Sequence, residues 1–396
     1  MKIKNLDNIN VNGKTILVRL DLNVPLINGQ IVDTIRIDRS IETIQELQKN
    51  NAKIVLMSHF GRPEKADKNL SLRPIGHYLE QILNSKVKFL EDSIGAKVVE
   101  AVKNIHNGEI ILLENLRFHA GEQKNDRDFA QKLASLGDLI VQDALSVAHR
   151  KHASTYGIAE FLPMVAGRAL EKELNALEIG LEKPQTPVVA IVGGAKVSTK
   201  IDLLENLVKK VNALIIGGAM ANNFLLAQGY NVGKSLIEPD AITKARQIIE
   251  LAKQHNCVLI LPIDAVVAWH FKENSPHQTY AIDAIAEDGM ILDLGDASIE
   301  KIKDVIENAK SLLWNGPLGA FEMPPFDKAT TIISKFVAAQ TRENKLVSVA
   351  GGGDTLSALK HANVVKDFTY VSTAGGAFLE WLEGKELPTI SLLKKN

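Results

Sequence analysis

Cysteine is almost missing from this 396-residue chain: Cys257 stands alone, so no internal disulfide can form, and a reducing, cytoplasmic setting is expected. Long apolar runs are missing as well. None reaches the ~18 residues needed to span a bilayer, and the opening MKIKNLDNIN lacks a signal peptide's apolar core, so no membrane partner is expected. Net charge is close to absent. At −1 the chain has no global attraction to nucleic acid or to an anionic surface. Several chemical fingerprints are lacking too. No Cys/His cluster has zinc spacing, no G-x-S-x-G occurs, and no glycine cluster completes G-x-G-x-x-G, which counts against a nicotinamide-dependent dehydrogenase. GYNVGKS at 229–235 looks like a Walker A loop, but it has three residues between its glycines where four are needed, and it does not directly follow a strand.

What is present is an ordinary globular composition, 45% hydrophobic and 23% charged, with a mean hydropathy of zero. The length exceeds what one core usually holds, so two domains are expected. In the first half, strand patterns at 16–21, 53–58, 87–90, 109–114 and 139–143 alternate with helical ones at 39–49, 72–83, 96–105 and 128–136. This alternation predicts a parallel sheet covered by helices on both faces. GRALEKELNALEIGLEK at 167–183 carries Leu170, Leu174, Leu177 and Leu181 on one stripe, ahead of Pro184 and Pro187, and predicts an amphipathic connecting helix. Alternation then resumes, with strands at 188–192, 213–216, 258–263, 290–294, 311–314, 346–349 and 369–372, and helices at 241–253, 299–310, 329–338 and 355–361.

The richest stretch is TPVVAIVGGAKVSTKIDLLENLVKKV, 186–211. A buried strand runs into Gly193-Gly194, and a helix follows whose start, Thr199 with Asp202, has the form of a capping box. A strand–glycine–helix turn aims free N–H groups at an anion, and Lys196 and Lys200 stand four apart at its mouth. The pattern fits phosphate binding, and it also fits a surface loop with two solvated lysines.

The halves end their strands differently. The second half runs into glycine at 193–194, 217–218, 316, 351–353 and 375–376, as close approach to a nucleotide would require. The first half has no Gly-Gly pair, and polar groups follow its strands instead: Asp21, Asn23, His59, Arg62, Arg117, His119 and the run from His149 to His152. Nine of the eleven arginines fall within the first 168 residues, and their planar forks suit a small polyanion. Arg39, Arg73 and Arg127 lie on helical segments and are expected to be surface or ion-paired, while His119 and His152 read as hydrogen-bonding scaffold. Asp354 opens a helix after the glycine run, which suits an N-cap, a magnesium ligand, or both.

Eight motifs in order now match a known family. They are RLDLNVP (19–25), SHFGRP (58–63), LENLRF (113–118), HRKHAS (149–154), GGAKVSTK (193–200), WNGPLGAFE (314–322), GGGDT (351–355) and STAGGA (372–377), and with them the chain resembles phosphoglycerate kinase over essentially its whole length. The resemblance implies an α/β fold of two Rossmann-like lobes, each a parallel sheet covered by helices. The N-terminal lobe is expected at 1–167 with 379–396 packing back on it, a linker helix or hinge at 168–186, and the C-terminal lobe at 187–378. It implies that Asp21, Asn23, Arg36, His59, Gly61, Arg62, Arg117 and Arg150 hold 3-phosphoglycerate. Lys196, Lys200, Asn315, Glu322, Gly352, Gly353, Asp354 and Thr355 would hold ATP or ADP, with Glu322 on the ribose and Asp354 on Mg²⁺. Arg36, Lys196, Gly375 and Gly376 would serve transfer itself. The implied enzyme is a cytoplasmic, monomeric kinase of glycolysis and gluconeogenesis, moving a phosphoryl group in line between 1,3-bisphosphoglycerate and ADP after hinge closure. A non-catalytic two-lobed polyanion-binding protein is the alternative besides a dehydrogenase; it would not need Lys196, Lys200 and Asp354 together on a separate lobe.

One departure from the family stands out. Where Asp-Ala-Phe-Gly is usual, this chain reads Asp143-Ala144-Leu145-Ser146. The change removes a permissive glycine and an aromatic ring, which bears on the placement of Arg150. Gln123 stands where an acidic residue is common.

Overall fold

The computed structural model describes residues 2–27 and 29–394; positions 1, 28, 395 and 396, inside the expected N-terminal lobe, lie outside the described residues. The chain divides into two compact units: one runs up to Asn175 and resumes at Glu386, the other is Ala176–Lys385.

The first unit is built on a six-stranded parallel sheet. Its strands are β1 (Thr15–Arg19), β4 (Lys53–Met57), β5 (Val87–Phe89), β6 (Ile110–Leu112), β7 (Leu139–Gln142) and β8 (Met164–Ala166), with a two-rung hairpin of β2 (Leu26–Ile27) and β3 (Gln30–Ile31) beside it. The order is β5-β6-β4-β1-β7-β8, all pairs parallel. β1 and β4 are buried along almost their whole length because helices cover both faces, which is why they read as unbroken apolar runs rather than alternations. Ile16, Val18, Ile54, Leu56 and Val141 form the sheet's share of one core, with Ile37, Ile44 and Leu79 from the helices.

The second unit repeats the architecture. β9 (Val188–Val192), β10 (Ala213–Ile216), β11 (Val258–Ile260), β15 (Ser311–Asn315), β16 (Val347–Gly351) and β17 (Tyr370–Ser372) form a parallel sheet in the order β11-β10-β9-β15-β16-β17. Numbered by appearance this is 3-2-1-4-5-6, the dinucleotide-fold order, whose reversal beside its first strand opens a crevice at the carboxyl ends. Between β11 and β15 in the sequence comes a second sheet that the periodicity did not predict. β12 (Asp264–Ala268) pairs antiparallel with β13 (His277–Ala281) and β14 (Met290–Leu294). The 290–294 strand therefore leaves the parallel sheet to which alternation assigned it. β13 is largely exposed, and its HQTYA sequence carries no apolar run to betray it.

The connecting segment is helical over Arg168–Leu177 and loosens into a π-type turn over Glu178–Glu182; Leu170, Leu174, Leu177 and Leu181 are all buried, as the stripe requires. Asp143 anchors its start. Its Oδ1 accepts the Leu170 N–H at 3.0 Å, and a Cβ on Gly167 would lie 2.4 Å from that oxygen. Burial pushes this carboxyl up to about 7.

Candidate functional site

In the first unit the candidate ligands follow β1, β4, β6 and β7 at their carboxyl ends. Asp21 and Asn23 tie them together. Arg36 Nη1 lies 3.1 Å from Asp21 Oδ2 and donates to the Asn23 carbonyl at 2.9 Å, while Asn23 Oδ1 accepts the Gly61 N–H at 2.9 Å. Arg117 Nη1 donates to the Gly61 carbonyl at 2.5 Å. Arg62 is exposed, and its charge is felt at Arg117 together with those of Arg19 and Arg150. Burial and those neighbours lower the Arg117 guanidinium to about 10, and its Nε is buried without a partner. His59 is held well below the usual imidazole range by burial first, then by Arg19, Arg117, Arg36 and Arg150. A neutral histidine pressed by four guanidiniums marks a site with a surplus of positive charge, and that surplus is what an anion would relieve.

Arg19 is not one of the open cations. It is fully buried on β1; Nε donates to Ser154 Oγ at 2.8 Å, Nη1 donates to the Leu20 carbonyl, and Nη2 lies 3.3 Å from His59 Nδ1, which must accept. Ser154 in turn donates from Oγ to Glu122 Oε1 at 2.6 Å and from its N–H to Oε2 at 3.0 Å. This Arg19–Ser154–Glu122 chain underlies the cationic face, and the sequence reading missed its serine and its glutamate. The GEQKN stretch drew attention to Gln123, whereas the buried acid is its neighbour.

Arg168 also departs from anion capture: Glu46 takes two of its donors and Asp7 and Glu171 one contact each, all at 2.7–2.8 Å, and together they raise it above its ordinary value. Arg73 and Arg127 pair with Glu91 and Glu160, as expected of helical surface arginines. His119 Nε2 lies 2.7 Å from Asp92 and its ring stacks on Phe129. His152 Nδ1 is 4.0 Å from Glu122, yet burial and the nearby guanidiniums hold it near 4, so it is neutral at pH 7 and the contact is not an ion pair.

The Leu145–Ser146 departure is absorbed locally. Both residues belong to a 3₁₀ turn, Leu145–Val147, whose backbone any residue adopts, and Leu145 is buried. The Ser146 hydroxyl donates to Asp21 Oδ2 at 2.6 Å. No glycine is needed there, and Arg150 follows the turn with its Nε 3.1 Å from His149 Nε2.

In the second unit a cavity of about 500 Å³ opens at the carboxyl ends of β9, β10 and β15, with Gly194, Gly218, Leu292, Pro317, Glu322 and Asp354 on its walls. The glycines are required by contact. A Cβ on Gly193 would lie 1.8 Å from the Pro317 carbonyl oxygen, and Gly352 caps the helix Gly353–His361 at φ 105°. Asp354 is therefore the second residue of that helix and not its N-cap.

The two lysines separate in role. Lys196 is exposed. Lys200 Nζ is mostly buried, donating to Gly193 O at 2.5 Å and to Asn315 Oδ1 at 2.6 Å, and burial pushes it down to about 8 against the pull of Asp354. Asn315 and Thr355 sit behind the cavity wall with it. Asn315 Nδ2 and Thr355 Oγ1 both donate to the Gly351 carbonyl, and Thr355 accepts the Gly316 N–H. Gly375 and Gly376 open a seven-residue helix after the edge strand β17 and do not line the cavity. The capping box does not form. Thr199 Oγ1 bonds back to the Lys196 carbonyl, while Ser198 is held by Glu238, forty residues away. Asp293, also on the cavity wall, was not anticipated: Oδ2 accepts the Ala329 N–H, Oδ1 is buried without a partner, and burial lifts the carboxyl to about 8.

Among the described residues no group of three or more His, Cys, Asp or Glu could hold a metal unaided, and no helix is long and apolar enough to cross a membrane. Lone Asp354 beside an anion-facing helix start fits a magnesium ion that takes its other ligands from phosphates and water.

Comparison with known proteins adds the family. A sequence model of phosphoglycerate kinase matches residues 6–385. The chain is 56% identical over 394 residues to the phosphoglycerate kinase of Brucella suis, covering 99% of this chain and all of that one. Its fold matches the structure of phosphoglycerate kinase from Coxiella burnetii with a TM-score of 0.91 at 42% identity, covering 99% and 98% of the two chains. It also matches the Pyrococcus horikoshii enzyme at 0.80 and 28% identity over the same shares.

Proposed function

The chain belongs to the phosphoglycerate kinase family and is a phosphotransferase of glycolysis; we propose that 3-phosphoglycerate is held by its first unit and a magnesium-bound adenine nucleotide by its second. The observation that carries this is His59, kept neutral among four guanidiniums whose charge Asp21 and Glu122 offset only in part. A triply charged phosphoglycerate supplies the missing negative charge, and Arg36, Arg62, Arg117 and Arg150 supply forks for its phosphate and carboxylate. The glycine-lined cavity takes the nucleotide, with Glu322 on the ribose and the Gly352–Thr355 turn facing the phosphates. Asp354 would hold the magnesium, which neutralises phosphate charge when bound.

The attacking carboxylate of 3-phosphoglycerate is already ionised at neutral pH, so no general base is needed. The work left to the protein is alignment and charge. Arg36 and Lys196 are the cations assigned to the transferring group, with the Gly375-Gly376 amides beside them; Lys200 braces the glycine turn from behind. Because the two substrates occupy separate units, transfer requires closure about the 168–186 segment, which also excludes water and so prevents hydrolysis of ATP. The same reading has the protein acting as a cytoplasmic monomer without nucleic-acid or membrane partners.

The test is to mix purified protein with ATP, Mg²⁺, 3-phosphoglycerate and hydroxylamine, which traps acyl phosphates as hydroxamates. Hydroxamate and ADP appearing together, and only with 3-phosphoglycerate, is the expected result. ADP without hydroxamate would mean a different acceptor or simple hydrolysis.

A further inference from the structure

We propose that Ser146 is a positioning residue for the phosphoglycerate site, acting through Asp21; the inference rests on the site assignment above. Asp21 is the acidic member of an otherwise cationic cluster, and its side chain is only 10% exposed. Its Oδ1 accepts the Asn23 N–H at 3.1 Å. Its Oδ2 receives both the Ser146 hydroxyl at 2.6 Å and Arg36 Nη1 at 3.1 Å. Ser146 therefore shares with Arg36 the oxygen that orients it, and its bond is the shorter of the two.

The bond spans 125 residues of chain and joins two segments that both bear on the ligand. One follows β1 and carries Asp21 and Asn23; the other follows β7 and leads through the Leu145–Val147 turn to Arg150. A carboxylate beside a guanidinium would otherwise be free to close on it bidentately and neutralise it. With the Asn23 N–H on Oδ1 and the Ser146 hydroxyl on Oδ2, the carboxylate cannot turn both oxygens to Arg36, which leaves Arg36 charge for substrate, and the serine ties the Arg150 segment to the Asp21 segment. A hydrogen bond to an ionised acceptor is among the stronger neutral–charged contacts, so its loss should be visible in binding. Ser146 itself touches no reacting atom in this account.

The test compares Ser146→Ala, Ser146→Thr, Asp21→Ala and Arg36→Ala in the full chain. Affinity for 3-phosphoglycerate and for Mg-ATP is measured separately by calorimetry, alongside KM, kcat and thermal midpoint. Loss of the Ser146 hydroxyl should weaken 3-phosphoglycerate binding roughly tenfold, with Mg-ATP affinity unchanged and kcat changed by less than about threefold. Threonine keeps the hydroxyl on a half-buried side chain and should restore most of the lost affinity. Ser146→Ala binding 3-phosphoglycerate as the parent does would overturn the proposal. So would parallel loss of both affinities with a lowered thermal midpoint, or failure of threonine to rescue. Should Asp21→Ala and Arg36→Ala leave 3-phosphoglycerate affinity untouched, the site assignment itself falls and the proposal with it. A drop in those two variants without one in Ser146→Ala removes only the role of the serine.

Discussion

Each unit is built on its own parallel six-stranded sheet and carries its candidate site residues at the carboxyl ends of the strands, and in the proposed reading the two would meet negative charge by opposite means. The first presents side chains: arginines and a histidine, with buried acids behind them holding the cations in place. The second presents backbone: glycines whose missing Cβ atoms let the chain close around a cavity, with one mostly buried lysine as a strut. A small, highly charged acid needs forks that match its oxygens, whereas a larger nucleotide needs room and N–H groups. On that reading the same scaffold would serve both because the strand-end loops, and not the sheet, carry the difference.

The comparison breaks most severely where its buried charge is removed. Glu122→Gln keeps the shape of the side chain but leaves Arg19 fully buried without its strongest counter-charge. Breaking one partner of a buried charged network costs about 3–5 kcal/mol, so the first unit should unfold at clearly lower denaturant while the second is unaffected. Equal loss in both units would show that the network is not local. Next in size is Lys196→Ala. An exposed cation contributes little to the fold, so stability and 3-phosphoglycerate binding should stay near normal while kcat falls roughly 10²–10³-fold, as when one preorganised transition-state donor is lost. Comparable loss of binding would remove the role given to it.

On the glycine side, Gly193→Ala drives a methyl into the Pro317 carbonyl and should destabilise the second unit by about 1–3 kcal/mol. Gly353→Ala meets nothing within 4 Å and serves as its control, with stability unchanged within about 0.5 kcal/mol. If both variants behave alike, close approach is not why glycine stands at position 193.

Much of this contrast was legible in the sequence, because it lies in residue types at strand ends: glycine doublets in one half, arginines in the other. The buried strands were legible for the same reason that they are stable, as apolar runs of the right length. What was hidden depends on partners far away in the chain. Thr199 and Asp202 satisfy the local rule for a cap, but Glu238 engages Ser198 instead, and no local pattern announces that competition. Ser146 appeared as a lost glycine, and only the fold sets it 2.6 Å from Asp21. β8 is three residues long and β13 is exposed, so neither carries enough apolar signal to be separated from loop.

The finest test of the contrast is pH, because the buried titrating groups of the two units work in opposite directions. In the first unit His59, His149 and His152 are held below their ordinary value, the last two near 4. The unfolded chain protonates them from about 6.5 downward while the folded unit does not, so stability is lost as pH falls through that window. Asp143, raised to about 7, works the other way, but three imidazoles outnumber it. In the second unit Asp293 is raised to about 8, so the folded state keeps a proton that the unfolded chain releases above its ordinary carboxylate range. That unit should lose about 1 kcal/mol per pH unit as pH rises from 6 toward 7, before Lys200, pushed down to about 8, sheds its proton in the folded state and offsets the loss. All three tryptophans, Trp269, Trp314 and Trp381, lie in the second unit, so their fluorescence reads it separately from far-UV circular dichroism, which reads both. Denaturant midpoints by fluorescence should fall on alkalinisation, and Asp293→Asn should flatten that slope because its amide does not titrate. A slope that survives in Asp293→Asn would mean that another group carries it, whereas a parent without the slope would mean that the buried carboxylate is already ionised, and the second unit would then hold buried charge as the first does.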